Sequence, residues 1–440
     1  MTQQKSYRSS FILLTSLFFL WGFITVLVDS LIPRLRELFT LSYFEAGFVQ
    51  ISFFGAYLIM SIPASKILTK IGYKKGIMLG LATMAIGCLL FYPAASYRVF
   101  GIFMVALFVL ASGITILQVA ANPFVAVLGT EDGASSRLNL AQAFNSLGTA
   151  IAPAAGALFI LSDKIKTKVE IDTLVGVAKE NYLASEAASV QTPFLGLGIF
   201  ILIIAGLFFF AKLPKLISET STGTYAETFK RKNLMLGVLG IFFYVGAEVA
   251  IGSYVINYFV DMNLTPLIRE SPTMMSIANV VAKIFNKSLV GADDKALLGI
   301  FVIFYWSGAM IGRFVGSYLT QIIKPGKVLG LFATMAILLL LVSMNTSGYV
   351  AMWSILGVGL FNSIMFPTIF TLALDGLGDL KPKASGLLCT AIFGGAVIPP
   401  IYGLLTDHIG FKMAFIFIIL CYGYILWFGY KNSKKSLVIS

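Results

Sequence analysis

The feature that most constrains this sequence is a series of apolar runs of about twenty residues with almost no charge. A helical run of that length crosses the hydrocarbon core of a bilayer, whereas strands of a membrane β-barrel alternate in polarity over about ten residues. Hydrophobic residues make up 58% of the chain and charged residues 12%, which is too little charge to cover a water-facing surface. The sequence therefore predicts an all-α membrane protein.

Hydropathy separates twelve candidate membrane spans along the chain. They cover residues 11–31, 46–69, 76–95, 99–128, 137–161, 192–213, 233–260, 296–320, 327–345, 350–374, 384–407 and 412–430. Two longer connections, residues 162–191 and 261–295, are predicted to be loops. Most Lys and Arg residues fall in segments predicted to lie on the same side of the membrane as the N-terminus. Cytoplasmic loops are enriched in these residues. We therefore predict that both termini are cytoplasmic.

The two halves of the chain share short sequence matches. Residues 79–86 read LGLATMAI and residues 329–337 read LGLFATMAI, each after a turn rich in Lys and Gly. A duplication explains the match, and duplicated halves that move around a midplane site are a recurrent transporter design. We predict two pseudo-symmetric six-helix bundles, residues 1–214 and 233–440, joined by a cytoplasmic linker of residues 215–232.

Two acidic residues fall inside the predicted spans. Asp29 lies late in the first span, and Glu248 lies in the middle of the seventh, among small residues. A carboxylate at the bilayer centre costs about 2.5–3.5 kcal/mol on insertion scales, so one that is retained usually faces the bundle interior and has a function. The structural alternatives are an interfacial role for Asp29 and a protonated helix–helix hydrogen bond for Glu248.

Amide side chains form a second polar group in the spans. Gln118 and Asn122 are one helical turn apart, and Gln142 and Asn145 share a helix face through their i, i+3 spacing. Any one of them alone is equally well explained as a hydrogen bond between helices. Four together favour a polar cavity with donors and acceptors for the hydroxyl groups of a ligand.

A fifth amide repeats this pattern in the second half. Asn362 precedes Pro367 by five residues, as Gln118 precedes Pro123. The two amides therefore occupy matching places in the two repeats, and we predict that both bind substrate.

Intramembrane cations are scarce, which limits the charge of the substrate. Apart from Arg313, near the cytoplasmic end of the eighth span, no Lys or Arg lies clearly within a span. A multiply anionic substrate would lack a counter-charge, whereas a neutral polyhydroxylated solute suits this inventory. Among the aromatic residues, Trp306 is a candidate for stacking on a sugar ring.

Catalytic, metal and nucleotide motifs are missing from the sequence. His408 is the single His, no Cys/His cluster has ligand spacing, and no P-loop pattern occurs. The basic residues lie in short clusters between spans, which is not the pattern of a nucleic-acid surface. The sequence predicts neither an enzyme nor a resident cofactor.

Several motifs resemble one transporter family. LFFLWGF at 17–23, AANPFVAVLG at 120–129 and RLNLAQAFNSLG at 137–148 look like the fucose/glucose/galactose branch of the major facilitator superfamily. GAEVAIGSY at 246–254 and FYWSGAMIGRFVGS at 304–317 resemble bacterial glucose/galactose transporters more closely than L-fucose/proton symporters.

This resemblance implies a twelve-helix fold, alternating access and a cation-coupled sugar site. Fucose members use one acid on helix one and another on helix four, and these positions correspond to Asp29 and Gln118. Because the second acid is absent here, Glu248 on helix seven is the candidate to share the coupling role with Asp29 and also to bind the sugar hydroxyls. The proton and the sodium ion are equally compatible as the coupling ion, with sodium near Asp29.

The leading interpretation is a cation-coupled symporter for a neutral hexose such as glucose or galactose. We expect it to act as a monomer in the bacterial inner membrane, with the sugar, the cation and lipid as its partners. The alternatives are a facilitative uniporter and, from other classes, a channel or an integral-membrane enzyme.

Overall fold

The computed structural model describes residues 2–29, 43–97, 99–159, 173–211, 213–214, 223–284, 289 and 293–433. Within these ranges the regular secondary structure is entirely helical. The predicted all-α class is therefore confirmed.

The described residues form fifteen α-helices, which we number in chain order. They are α1 Thr2–Asp29, α2 Tyr43–Tyr97, α3 Phe100–Val127, α4 Ala134–Phe159, α5 Val177–Phe210, α6 Tyr225–Phe229, α7 Lys232–Asp261, α8 Leu264–Glu270, α9 Pro272–Ile284, α10 Asp294–Ile322, α11 Pro325–Asn345, α12 Gly348–Asn362, α13 Met365–Leu374, α14 Lys381–Thr390 and α15 Gly394–Ser433.

Nine segments of the described chain are long and apolar enough to cross a membrane. Two of them hold two predicted spans each. The two spans of a pair meet at a break in helical geometry, at Gly72 within α2 and at Gly410 within α15. Helix α4 covers the described part of the remaining predicted span, residues 137–159. The described part of every predicted span is therefore mostly helical, and two spans are divided between two helices: 350–374 between α12 and α13, and 384–407 between α14 and α15.

The two breaks share an unusual backbone conformation. Gly72 has φ 79° and ψ 168°, and Gly410 has φ 77° and ψ 162°. This region of backbone space is accessible almost only to glycine, because a Cβ atom would clash with the chain. Glycine thus lets the chain kink between two spans without an intervening loop.

We expect Gly410→Ala to destabilise the protein by about 1–3 kcal/mol through backbone strain. Apart from Gly410 itself, its two chain neighbours and the adjacent backbone of α15, no heavy atom lies within 4 Å of a Cβ atom placed there, so packing against other residues adds nothing. Gly423→Ala is the matched control, because Gly423 lies in α15, also has open space and has no positive φ. Thermal unfolding in detergent checks the prediction, and equal midpoints for the two variants would contradict it.

The two connections predicted as loops contain helix. Helix α5 begins at Val177, well before the predicted sixth span, and α8 and α9 occupy much of residues 261–295. Hydropathy reports membrane spans and is blind to short helices outside them, which is why the sequence did not reveal these elements.

The described chain groups into two compact units. The first comprises Met1–Leu128, Ile151–Thr228 and Leu377–Thr390, and the second comprises Gly129–Ala150, Phe229–Gly376 and Ala391–Ser440. The first unit includes the packing of α2 against α3, α5 and α14. The second includes the packing of α15 against α7 and α11, and of α10 against α12. The division into bundles 1–214 and 233–440 is a statement about the repeat in sequence and stays a prediction.

Candidate functional site

In the first unit, a buried amide pairs with a buried tyrosine. Gln118 lies on α3, and its Nε2 donates a 2.8 Å hydrogen bond to the hydroxyl of Tyr57 on α2. Both side chains are at least nine-tenths buried. The tyrosine oxygen accepts this bond, so the hydroxyl keeps its own proton for donation to another group.

The second unit contains the equivalent pair. Asn362, the last residue of α12, donates from Nδ2 to the hydroxyl of Tyr305 on α10 over 2.6 Å. Neither side chain is exposed. The predicted correspondence between Gln118 and Asn362 therefore extends to their tyrosine partners, which come from the second and eighth predicted spans. The two repeats thus present the same donor geometry.

The repeated prolines explain a second shared feature. A proline cannot donate to the carbonyl four residues before it, so Pro123 and Pro367 leave the carbonyls of Val119 and Ser363 without that helical bond. The Ser385 hydroxyl donates to the Val119 carbonyl over 2.8 Å within the first unit. Arg313 Nε donates to the Ser363 carbonyl over 3.1 Å within the second. Each proline therefore creates an acceptor that a side chain from another helix uses.

Asn122 is the other predicted amide of the first unit. It is completely buried on α3, and neither its Nδ2 nor its Oδ1 has a hydrogen-bond partner among the described residues. The Cys389 thiol of α14 lies beside it. A buried amide normally fills its hydrogen-bonding capacity, so Asn122 has both a donor and an acceptor available to a ligand.

Glu248 lies in the second unit, on the face of α7 that also carries Tyr244 one turn earlier. It is partly buried, and its Oε1 is fully enclosed without a hydrogen-bond partner in the described part of the chain. The hydroxyls of Tyr244, Tyr305 and Tyr422 surround it closely enough to interact electrostatically. The carboxyl group thus lies near three neutral hydroxyls.

Several oxygen atoms of this cluster are unpaired. The hydroxyls of Tyr244 and Tyr422 and the Oδ1 of Asn362 are buried and, like Glu248 Oε1, have no hydrogen-bond partner within the described residues. Tyr422 lies close to Asn362, so the unpaired atoms belong to one polar group. We call Tyr244, Glu248, Tyr305, Asn362 and Tyr422 the acid–tyrosine cluster.

Arg313 of α10 is next to this cluster. Its guanidinium interacts electrostatically with Glu248 and Tyr244. Besides the Ser363 carbonyl, its Nη1 donates to the Gln142 carbonyl over 3.2 Å and to the Ser146 hydroxyl. Arg313 therefore bonds to α4 while sharing the electrostatic environment of the acid.

Helix α4 carries the remaining predicted amides. Gln142 and Asn145 are both buried, and Arg313 contacts the backbone of Gln142. One turn before Gln142, the buried Asn139 donates from Nδ2 to the Thr368 hydroxyl on α13 over 3.2 Å. The structure therefore brings α4 together with the helices that carry the acid–tyrosine cluster, within the second unit.

Trp306 is placed differently from the other predicted residues, and Asp29 is described only by its backbone. Trp306 packs its ring edge-on against Tyr305 but is 45% exposed, so it borders the buried cluster without being part of it. Asp29 ends α1, and its side chain lies outside the described residues. Its role in coupling stays a prediction, as does a sodium site near it.

The sequence analysis missed Tyr57, Tyr305 and Tyr422 and did not assign a role to Arg313. The tyrosines carry no signal of their own, since the chain contains 18 of them. Arg313 did carry one, because an intramembrane cation is as unusual as an intramembrane acid and usually has a function.

Comparisons with known proteins identify the family of the chain. The family model of the Major Facilitator Superfamily matches residues 9–398. The chain belongs to the major facilitator superfamily. The glucose/galactose transporter of Brucella abortus is 44% identical over 99% of this chain and 96% of that protein. The L-fucose-proton symporter of Escherichia coli is 35% identical over 99% of this chain and 95% of that protein.

Solved structures match the fold. A crystal structure of the E. coli fucose:proton symporter superposes with a TM-score of 0.84 at 33% identity, covering 98% of this chain and all of that one. The predicted major facilitator fold is thereby confirmed, and that fold implies twelve membrane helices. The protein is a membrane transporter and not an enzyme.

Proposed function

We propose that the protein is a symporter that moves a neutral hexose, such as glucose or galactose, together with a proton by alternating access. The names of its relatives support this assignment, since one is a glucose/galactose transporter and another an L-fucose-proton symporter. We also propose that it works as a monomer in a bacterial inner membrane, with both termini in the cytoplasm.

The observation that carries the proposal is the set of buried, unpaired hydrogen-bonding groups. Asn122 offers a donor and an acceptor in the first unit, and the acid–tyrosine cluster offers four oxygens in the second. A sugar presents several hydroxyls, each both donor and acceptor, which suit the unpaired groups of either unit. These unpaired atoms belong to amide, hydroxyl and carboxyl groups and none of them is cationic, so they suit a neutral ligand better than an anionic one.

The proton is assigned to Glu248 together with Asp29. A protonated Glu248 is neutral, which lowers the cost of holding it among tyrosine hydroxyls in a membrane. The acid then donates a hydrogen bond as well as accepting one. Binding of the proton can thereby change both the charge and the donor count of the site, which is the chemical basis for coupling. No further cofactor is required.

Hexose counterflow in proteoliposomes tests the proposal. Liposomes loaded with unlabelled glucose or galactose should take up the labelled sugar, because a carrier exchanges substrate across the membrane. An imposed proton gradient should then drive net accumulation, and an imposed sodium gradient should not. Exchange with no effect of either gradient would identify a uniporter. Accumulation driven only by sodium would make sodium, and not the proton, the coupling ion. Flux without exchange would indicate a channel.

Asp29→Asn should abolish gradient-driven uptake. One elementary charge moving down 100 mV gains about 2.3 kcal/mol, enough for roughly fifty-fold accumulation, and the variant loses a titratable group needed to use it. The control is Asp261→Asn, which changes an exposed acid at the end of α7. Normal accumulation of sugar by the Asp29 variant would limit that residue to an interfacial role.

A further inference from the structure

Arg313 holds two parts of the second unit together. Its guanidinium donates to the carbonyl of Gln142 and the hydroxyl of Ser146 on α4, and to the carbonyl of Ser363 between α12 and α13. The Ser363 carbonyl is available because Pro367 cannot donate to it. The Arg313 side chain is therefore held on one side by the Ser363 carbonyl, which Pro367 leaves without a helical hydrogen bond.

All three of these acceptors are neutral. In the described structure Arg313 forms no direct ion pair, although it interacts electrostatically with Glu248. A guanidinium forms stronger hydrogen bonds with a carboxylate than with neutral oxygens, and the planar fork of arginine suits a carboxylate. An ionised Glu248 would therefore compete with Gln142 and Ser146 for the same donors.

A protonated Glu248 would not compete. The neutral carboxylic acid offers no charge to attract the guanidinium, so Arg313 keeps its bonds to α4. The other groups that face Glu248 are the hydroxyls of Tyr244, Tyr305 and Tyr422, which can hydrogen-bond to either form. Arg313 is therefore the charged neighbour of Glu248 whose preferred hydrogen-bond acceptors change with the charge of the acid.

We propose that Arg313 is a positioning residue that links the charge state of Glu248 to the placement of Gln142 and Asn145 on α4. When Glu248 is neutral, Arg313 holds α4 by Gln142 and Ser146. When Glu248 is ionised, Arg313 turns toward the carboxylate and releases α4. The inference rests on the proposed function, since Gln142 and Asn145 are proposed to bind the sugar.

The test is the pH dependence of hexose affinity, measured by equilibrium binding to the purified full-length protein. Coupling between two sites is typically five-fold to 150-fold, so wild-type affinity should change by about that factor as Glu248 titrates. Arg313→Gln should make the change smaller than in the wild type, because neutral glutamine has no preference for the ionised acid and only the direct effect of Glu248 on the site remains. Arg269→Gln, which alters an exposed arginine beside Asp294, is the control and should behave as wild type.

Two further variants keep the test decisive if Arg313→Gln fails to fold. Arg313→Lys keeps the charge but loses the fork, so it should retain part of the pH dependence. Ser146→Ala removes one acceptor on α4 and leaves Glu248 untouched, so it should also shrink the dependence. A pH dependence of wild-type size in the folded variants, or its absence in a wild type that binds and exchanges hexose, would overturn the inference. A wild type that neither binds nor exchanges hexose would instead reject the proposed function.

Discussion

Glu248→Gln is expected to retain hexose exchange while losing most of its gradient-driven accumulation. Glutamine keeps the shape of the side chain and one acceptor oxygen but cannot titrate. The sugar can therefore still be bound among the tyrosine hydroxyls, because glutamine, like the protonated acid, is neutral and offers both a donor and an acceptor. At 100 mV the loss of one coupled charge removes up to about fifty-fold of accumulation.

The measurement compares counterflow with net uptake in the same proteoliposomes. Counterflow needs only binding and the change of access, whereas net uptake also needs the coupled ion. Glu270→Gln is the matched control, because Glu270 is an exposed acid at the end of α8. Full accumulation by the Glu248 variant with unchanged pH dependence would make Glu248 a structural residue and leave coupling to Asp29.

Most of the fold could be predicted because the bilayer selects for a simple property, a run of apolar residues long enough to cross it. Hydropathy found each span, including the two pairs that are continuous through Gly72 and Gly410. It could not predict that no loop separates the two spans of each pair. Hydropathy reports the polarity of side chains, whereas each pair is joined at a glycine with unusual backbone angles. The helices in residues 261–295 were not predicted from hydropathy, because they are too short to span a membrane.

The candidate site was predictable in part. Buried amides and an intramembrane acid are costly, so their presence alone marked Gln118, Asn362 and Glu248. Their partners were not predictable, because Tyr57 and Tyr305 are distant in sequence and meet these amides only through helix packing. The role of Pro367 in freeing a carbonyl for Arg313 likewise needs the position of a second helix.

The matching pairs also show how the two predicted repeats differ. One repeat keeps glutamine and the other asparagine, yet each amide donates to a tyrosine hydroxyl. The two carbonyls freed by proline take different donors, the hydroxyl of Ser385 in one unit and the guanidinium of Arg313 in the other. The charged donor, Arg313, lies beside Glu248. The two repeats therefore differ at the place where proton coupling is proposed.

Asn362→Ala is expected to weaken hexose affinity by about 1–3 kcal/mol, or roughly five-fold to over a hundred-fold. The substitution removes the unpaired Oδ1 proposed to accept from a sugar hydroxyl. It also removes the donor that orients the Tyr305 hydroxyl. Gln118→Ala should have an effect of the same order, because it removes the equivalent donor to Tyr57.

Equilibrium binding to the purified protein measures the effect, together with thermal unfolding to confirm that the variant is folded. Asn345→Ala is the control, because Asn345 is an exposed amide at the end of α11 that bonds only to the Leu341 carbonyl of its own helix in the described structure. Tyr305→Phe separates the two contributions, since it keeps the amide and removes only the hydroxyl. Should folded Asn362→Ala, Gln118→Ala, Gln142→Ala and Asn145→Ala all bind hexose with wild-type affinity, the sugar must be held by other groups.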